Sequence, residues 1–186
     1  MVKFIIVRHG YSTSNLDNTL TGQQDVPLTE IGIKQGQLAS QYIFDNYKID
    51  AIYSSDLIRA VKTVEKLSNL TNLPIIKDKR LREIGCGVWE GLPVSLLMDK
   101  YEDKYSKWRA YLDEGCPQEG ETFTQVKERA FEVLKEIATN NDGKTIVVAT
   151  HGGLIKVFQG ACLGVASKEV GKIPYVTNAS IFELDY

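Results

Sequence analysis

Short apolar runs alternate with amphipathic stretches along the chain, and this alternation predicts its architecture. Three runs rich in β-branched residues, at 3–7, 50–53 and 145–149, are too short for helices and indicate buried parallel strands. Residues 73–78 predict a fourth strand, and the alternating residues 180–186 predict an antiparallel strand at the edge of the sheet. Helical patterns between these strands indicate an α/β fold, a three-layer α/β/α sandwich around a mostly parallel sheet.

Three long segments carry apolar residues at helical spacing, so each predicts a helix that packs on the sheet. The first helix is expected to follow Thr29 as its N-cap, and the second to open with a cap of Ser55 and Asp56. A further helix is expected to begin near Gly152, directly after the third apolar run. The predicted buried stripes are Ile33, Leu38, Ala39, Tyr42 and Ile43; Leu57, Ala60, Val61, Val64 and Leu67; and Phe123, Val126, Ala130, Val133, Leu134 and Ile137.

Residues 85–121 interrupt this alternation of strands and helices. Glycines and prolines surround both tryptophans there, Trp89 and Trp108, and short helices are predicted within 93–113. Segments of this kind often form the lid or the wall of a binding site. A chain of 186 residues is long enough for one core. We therefore expect a single domain, 1–186, with 85–121 as a helical lid insertion.

The charge of the chain is nearly balanced, with 22 basic and 24 acidic residues. This balance gives no electrostatic basis for a nucleic-acid or membrane partner. The apolar run at 4–7 is too short for a secretory signal, and the three cysteines, Cys86, Cys116 and Cys162, suggest no disulfide framework. The sequence predicts a cytoplasmic protein, and both a monomer and a homodimer stay open.

Both histidines of the chain follow apolar runs, and a glycine follows each of them. Arg8 and His9 come after the first predicted strand, and His151 comes after the third. With 15 glycines in 186 residues, a glycine follows a given residue about 8% of the time. Because the carboxyl ends of parallel strands meet at one edge of the sheet, we expect these three side chains to converge on a functional site.

Several kinds of site fit this pattern poorly. No His-Glu-x-x-His or Cys-x-x-Cys spacing is present, and Arg8 beside His9 would repel a metal cation. No Gly-x-Ser-x-Gly elbow occurs. Gly143-Lys144-Thr145 resembles the end of a phosphate loop but precedes a strand instead of opening a helix. These templates therefore do not explain the two histidines.

A site for a phosphate anion fits better. Arg8 offers a planar, permanently charged fork for phosphate oxygens, and a helix that starts at Gly152 offers backbone N–H groups. A neutral imidazole beside cations is a competent nucleophile toward phosphorus. A carboxylic acid would then protonate the leaving oxygen. Four residues remain open for that role on sequence alone: Glu83, Glu90, Asp56 and Glu121.

Six segments, in order along nearly the whole chain, resemble the histidine phosphatase superfamily and its phosphoglycerate mutase-like branch. Each histidine segment is preceded by an apolar strand, which makes the resemblance specific. The six segments are VRHGYSTSN (7–15), TGQQDVPLTEIGIKQG (21–36), IYSSDLIRAVKT (52–63), LREIGCGVWEG (81–91), EGETF (119–123) and VVATHGG (147–153).

The resemblance implies a phosphoryl-transfer enzyme that needs no metal or other cofactor, because positive side chains replace Mg²⁺. His9 is implied as the nucleophile that becomes phosphohistidine. Glu83 is implied as the acid that protonates the leaving alcohol and then activates water. The resemblance places in the phosphate pocket Arg8, Arg59, His151, Asn15 and the backbone N–H of Gly152.

Substrate recognition is expected from residues near these segments. Tyr11 stands where relatives commonly have Glu or Gln, so it is expected to affect substrate preference. Further residues expected to bind substrate are Ser12, Thr21, Gly22 and Gln23. In the lid insertion, the cations that could pair a second acidic group are Lys100, Lys104, Lys107 and Arg109.

The expected activity is hydrolysis of a small phosphorylated metabolite, such as α-ribazole phosphate, or of a broad range of phosphomonoesters. A cofactor-dependent phosphoglycerate mutase is the alternative, but the chain lacks the longer insert and tail with which those mutases exclude water. A phosphate-binding scaffold without activity is the non-enzymatic alternative. The presence of all five expected catalytic residues speaks against it.

Overall fold

One five-stranded sheet organises this computed structural model, which describes the whole backbone, 1–186, and every side chain except those of residues 167 and 168. The strand order is β3-β2-β4-β1-β5, and all neighbours are parallel except β1 and β5. The five predicted strands and the antiparallel edge are thus confirmed. The strands are β1 (Lys3–Arg8), β2 (Ala51–Ser54), β3 (Ile75–Lys77), β4 (Thr145–Thr150) and β5 (Ile181–Asp185).

Seven helices connect the strands within the described residues and cover both faces of the sheet. The last long helix, α6, begins at Gly152 as the sequence predicts. None of the helices in the described chain has the length and apolar character required to cross a membrane. The helices are α1 (Thr13–Leu16), α2 (Glu30–Asn46), α3 (Ile58–Thr71), α4 (Val94–Arg109), α5 (Phe123–Asn140), α6 (Gly152–Cys162) and α7 (Ser167–Val170).

The central strands β1 and β4 are buried on both faces, which explains their continuous apolar sequence. Phe4 and Ile6 of β1 enter the core on the side of α5 and α6, whereas Ile5 and Val7 enter the core on the side of α2 and α3. This alternation follows from the two-residue period of a strand. The predicted three-layer arrangement is therefore confirmed.

The predicted face of α2 is wrong in part. Ile33, Leu38 and Tyr42 are 44%, 72% and 51% exposed, and the helix instead buries Gly32 and Gly36 together with Ala39, Ser40 and Ile43. The reason is close packing. A Cβ on Gly32 would lie 2.1 Å from the carbonyl oxygen of the residue at position 11, so only glycine fits between the helix and that loop.

The N-cap of α2 is confirmed, but the cap of α3 differs from the prediction. The hydroxyl of Thr29 accepts the N–H of Gly32 at 3.1 Å. At α3, the N–H of Ile58 donates to Asp25 at 2.6 Å, and Asp56 forms an ion pair with a distant arginine. The capping carboxylate thus comes from a loop far along the chain, which local sequence does not reveal. The predicted stripes of α3 and α5 are buried as expected.

Residues 85–121 contain α4, whose backbone is non-helical at Tyr101, so the helix consists of two short segments as predicted. An aromatic cluster joins this region to the core. Trp89 lies 6.5 Å from Trp108, and Trp108 stacks on Tyr105 with ring centroids 5.8 Å apart. All three side chains are buried, and Trp108 also contacts Phe123 of α5, with ring centroids 6.1 Å apart. The insertion is therefore held against the body of the fold by its aromatic side chains.

Candidate active site

The two histidines lie side by side at the carboxyl edge of the sheet. Arg8 pairs with Thr150 at the ends of β1 and β4, and the N–H of His9 donates to the Thr150 carbonyl at 2.9 Å. The rings of His9 and His151 have centroids 5.1 Å apart and are inclined by 53°. The predicted convergence of these residues follows directly from the adjacency of the two parallel strands.

Hydrogen bonds fix the orientation and the tautomer of His9. Its Nδ1 lies 2.7 Å from the carbonyl oxygen of Gly10, which can only accept, so Nδ1 carries the proton of the neutral ring. The N–H of Gly10 donates to the hydroxyl of Thr63 at 2.9 Å. The amide of Asn178 donates to the carbonyls of His9 and Gly10 at 3.1 and 3.3 Å. Nε2 of His9 is therefore the unprotonated nitrogen.

Both histidines are neutral at ordinary pH. Burial, reinforced by the positive charges of Arg59 and Arg8, lowers the pKa of His9 to about 3. Burial, followed by the charge of Arg59, also lowers the pKa of His151 well below its ordinary value. The Nε2 of His151 is 2.8 Å from the hydroxyl of Ser55. A neutral His9 has a lone pair on Nε2, the form required of a nucleophile.

Two arginines flank His9, of which Arg59 is buried and Arg8 is partly buried. The guanidinium of Arg59, 1% exposed, donates to the carbonyls of Gly22 and Gln24 at 2.8 and 2.6 Å. The guanidinium of Arg8 donates to the carbonyl of Val176. Burial lowers the pKa of both groups, and an arginine in a protein nevertheless remains charged. The two arginines thus bring permanent positive charge to the side chain of His9.

Several buried nitrogen atoms at this place have no hydrogen-bond partner within the described part of the protein. These buried atoms are Nε of Arg8, Nε of Arg59 and Nδ1 of His151. The start of α6 adds its positive dipole end, and a Cβ on Gly152 would lie 3.2 Å from Nε of Arg8. Donors and positive charge in excess of acceptors suit an anion and disfavour a metal cation.

A cavity of about 230 Å³ opens at this edge of the sheet. Its lining unites residues from β1, the loop before α2, α3, the lid insertion and the segment before β5. Seven of the residues that the sequence proposed for the site line it: Arg8, His9, Asn15, Thr21, Gly22, Arg59 and Glu83.

The other residues proposed from the sequence are not part of this lining, as the structure describes it, but contact the residues that are. Ser12 donates from its N–H and its hydroxyl to Oδ1 of Asn15 at 3.1 and 3.0 Å, so Nδ2 of that amide is left to donate elsewhere. The hydroxyl of Tyr11 donates to the Asn15 carbonyl at 3.2 Å. Tyr11 therefore acts on the cavity through Asn15, and its effect on substrate preference stays a prediction.

The cavity lining that the structure describes also leaves out three other proposed residues, Gln23, His151 and Gly152. Gln23 donates from Nε2 to the carbonyl of Glu83 and to a carboxylate oxygen of Glu121, both at 3.1 Å. His151, 0% exposed, lies beneath His9, and Gly152 lies against Arg8. These residues position the groups that face the cavity.

Glu83 is the carboxylate that lines the cavity. Both of its oxygens accept the N–H of Gly153 at 3.1 Å, and Oε1 also accepts the N–H of Ile84 at 2.9 Å. A Cβ on Gly153 would lie 2.3 Å from Oε1, so this approach of the carboxylate to the start of α6 requires glycine. The helix terminus thus holds Glu83 beside the two arginines.

The three other carboxylates considered for the acid are occupied elsewhere. Asp56 pairs with Arg82 at 2.6 Å, and Glu121 pairs with Arg129 at 2.7 Å. Glu90 accepts the N–H groups at positions 23 and 86 at 2.8 and 3.0 Å. Their partners fix these groups away from His9. Of the four alternatives that the sequence left open, the geometry favours Glu83.

Among the residues of the site that were not found from the sequence are Asn178, Tyr175 and Arg129. Asn178 and Tyr175 precede β5, and because β5 is antiparallel to β1, this segment arrives at the carboxyl edge of the parallel strands. The predicted antiparallel strand at the edge of the sheet was thus the sequence signal that could have located this segment at the site. Arg129 of α5 donates to the carbonyls of Arg82 and Glu83 at 2.9 Å, which fixes the loop that carries the acid. No local pattern marks Arg129.

Comparison with known proteins adds three similarities. The chain is 34% identical to phosphoserine phosphatase 1 of Hydrogenobacter thermophilus over 89% of this chain and 78% of the relative. It is 30% identical to a probable phosphoglycerate mutase of Yersinia pestis, covering 100% of this chain and 86% of the relative. A mycobacterial glucosyl-3-phosphoglycerate phosphatase, solved with vanadate, superposes with a TM-score of 0.90 at 28% identity, covering 98% and 92% of the two chains.

The family match extends over almost the whole sequence. The histidine phosphatase superfamily (branch 1) matches residues 4–186, a range that includes every residue of the cavity described above. The sequence segments, the α/β fold and the pair of histidines between two arginines agree with this match. The chain belongs to the histidine phosphatase superfamily.

Proposed function

We propose that the protein is a phosphomonoester hydrolase that acts on a small phosphorylated metabolite through a phosphohistidine at His9. The observation that carries this proposal is the state of His9. Its Nδ1–H is bound to the Gly10 carbonyl, and its ring is accompanied by two guanidinium groups, those of the buried Arg59 and the partly buried Arg8. Such an arrangement supplies a nucleophile and charge stabilisation for a phosphoryl group.

The first step transfers the phosphoryl group to the histidine. The lone pair on Nε2 of His9 forms the P–N bond, the P–O bond to the alcohol breaks, and a protonated Glu83 gives its proton to the leaving oxygen. Charge on the phosphoryl oxygens is stabilised by the arginines and by the side-chain amide of Asn15, while His151 supports His9 from beneath. The Nδ1–H bond to Gly10 persists and stabilises the positive ring.

The second step returns the enzyme to its starting state. Glu83, now a carboxylate, takes a proton from water while the water oxygen bonds to phosphorus. The P–N bond breaks, the electron pair returns to Nε2 of His9, and phosphate leaves. No metal is assigned a role, because the cationic side chains occupy the positions around the transferring group.

The size of the cavity supports a small substrate. Its volume of about 230 Å³ is below the range of about 300–1,000 Å³ of pockets that hold drug-sized ligands. Phosphoserine, named for the relative at 34% identity, is therefore favoured over the bulkier α-ribazole phosphate. We propose a cytoplasmic location on the sequence alone.

A phosphoglycerate mutase remains the second candidate because of the full-length similarity to a probable mutase. A mutase must hold a second phosphate while the first is transferred. Beyond Arg8 and Arg59, the lining of the cavity, as described, contains one further cation, Arg109. This modest charge favours hydrolysis over retention of a bisphosphate.

The first test measures phosphate release from p-nitrophenyl phosphate and from a panel of phosphomonoesters, including phosphoserine, α-ribazole phosphate and 3-phosphoglycerate, in the presence of EDTA. We expect turnover by the wild type and a loss of roughly 1,000-fold or more in His9→Ala, because the nucleophile is removed. Lys34→Gln, an exposed residue of α2, is the matched control and should retain activity. Mutase turnover with negligible hydrolysis would contradict the proposal.

A second test examines Glu83 as the proton donor. The substitution Glu83→Gln should reduce the rate for phosphoserine by about 100-fold or more, since its alkoxide leaving group needs a proton. The rate of the first step with p-nitrophenyl phosphate should fall much less, since p-nitrophenolate leaves without a proton. Burst kinetics with the two substrates measure this difference. Equal losses in the first step for both substrates would show that Glu83 is not the acid.

A third test uses pH to verify that both histidines are neutral. Their folded-state pKa values lie below the unfolded value of about 6.5, so the unfolded chain binds more protons and stability falls as the pH drops below it. Between pH 6.5 and 5, the free energy of unfolding should fall at a rate approaching about 1.4 kcal/mol per unit for each histidine.

Urea unfolding across this range measures the fall, and His9→Asn should remove about half of it. Carboxylates with ordinary or lowered pKa values stay ionised there and contribute little. A free energy of unfolding that stays constant from pH 6.5 to 5 would show that the folded histidines titrate normally.

A further inference from the structure

The wall of the cavity formed by the lid insertion carries one positive side chain. The sequence offered four cations of this insertion as partners for a second acidic group, and among the described residues Arg109 is the one that lines the cavity. Lys107, two residues earlier on α4 and exposed like Arg109, lies outside the lining and pairs with Asp103 at 2.9 Å. Lys100 and Lys104 are exposed outside the lining.

Arg109 is positioned by an aromatic ring of the cavity. Its guanidinium carbon lies 5.3 Å from the ring centroid of Tyr175, which also lines the cavity. No carboxylate of the described residues lies within ion-pair distance of Arg109, in contrast to Arg80, Arg82 and Arg129. A guanidinium at a cavity wall without an acidic partner is available to an anionic ligand.

A second cation lies behind the same ring. Lys156 is 3% exposed, its Nζ lies 4.3 Å from the ring centroid of Tyr175, and it donates to the carbonyl of Gly171 at 3.0 Å. Burial, followed by the charge of Arg109, lowers the pKa of Lys156 to about 8. The two cations therefore repel one another, and an anion bound at Arg109 would reduce that repulsion.

The hydroxyl of Tyr175 completes this wall. It lies 3.0 Å from the hydroxyl of Tyr111, which is buried, so the ring is held on one side by a hydrogen bond and on its faces by cations. A Cβ on Gly152 would lie 3.2 Å from Tyr175, which places the ring next to the start of α6 and to Arg8. The wall thus adjoins the phosphate end of the cavity.

We propose that Arg109, held against Tyr175, is a second anion-binding subsite that recognises the carboxylate of the substrate. The inference rests on the proposed hydrolase function and narrows the substrate class to phosphorylated hydroxy or amino acids. One guanidinium fork matches one carboxylate in geometry and charge, whereas a second phosphate would carry more charge. Phosphoserine and phosphoglycerate, named for the two relatives, both carry a carboxylate near the phosphate ester.

The test compares O-phosphoserine with O-phosphoethanolamine, which lacks only the carboxylate. In Arg109→Gln, the KM for phosphoserine should rise by roughly 10- to 100-fold, the range of a charge-assisted hydrogen bond, while phosphoethanolamine changes less than about twofold. Lys107→Gln, on the same helix but outside the cavity lining, is the matched control and should alter turnover of neither substrate. An equal loss for both substrates, or no loss for either, overturns the proposal.

Two further arms separate the alternatives. A diol bisphosphate of similar length replaces the carboxylate by a phosphate, and a selective loss of this substrate in Arg109→Gln would overturn the assignment to a carboxylate. Calorimetry can measure the affinity for phosphoserine in His9→Ala, which does not turn it over, with and without Arg109→Gln. The second substitution should weaken this affinity. Absence of turnover in the wild type would refute the hydrolase, whereas the binding measurement still decides for or against the subsite.

Discussion

The hydrogen bond from Nδ1 of His9 to the carbonyl of Gly10, 2.7 Å long, is the constraint on which the site depends. Because a carbonyl only accepts, this bond assigns the ring proton and leaves Nε2 unprotonated, as the proposed nucleophile must be. Only glycine fits at position 10, because the chain is closely packed there and a Cβ would lie 2.3 Å from the carbonyl oxygen of Gly32. Thr63 and Asn178 then hold the peptide groups on either side.

The second property of the site is an excess of positive charge and hydrogen-bond donors over acceptors. It follows from the positions of two arginines in the strands and helices. Arg8 stands at the end of β1, and Arg59 reaches from α3 to the carbonyls of the loop before α2. Burial of His9, reinforced by the charges of Arg59 and Arg8, lowers its pKa and keeps the ring neutral, and the same two charges make this place favourable for a phosphate. Glu83, held by the start of α6, places a carboxylate beside this charge, where a proton can be given to and taken from the reacting oxygens.

The strands, the starts of α2 and α6 and the meeting of His9 with His151 were predictable, since apolar runs mark β1 and β4 and parallel strands end at one edge. The buried face of α2 was not predictable. Large apolar residues predict burial, but the close approach of α2 to the loop after His9 selects glycine, as at Gly32. The role of Glu83 came from family resemblance, because its neighbours in sequence do not distinguish it. Asn178 was missed because its contacts with His9 span 169 positions.

The central claim is that the phosphoryl group is carried on Nε2 of His9, and trapping that intermediate tests it most directly. The Glu83→Gln variant should form it from p-nitrophenyl phosphate and hydrolyse it slowly, since the base that activates water is lost. Rapid quenching into alkali, followed by peptide mass spectrometry, should find one phosphoryl group on the peptide that contains His9, attached as an acid-labile phosphoramidate. Turnover by the wild type with no phosphorylated His9 in either protein would contradict the account.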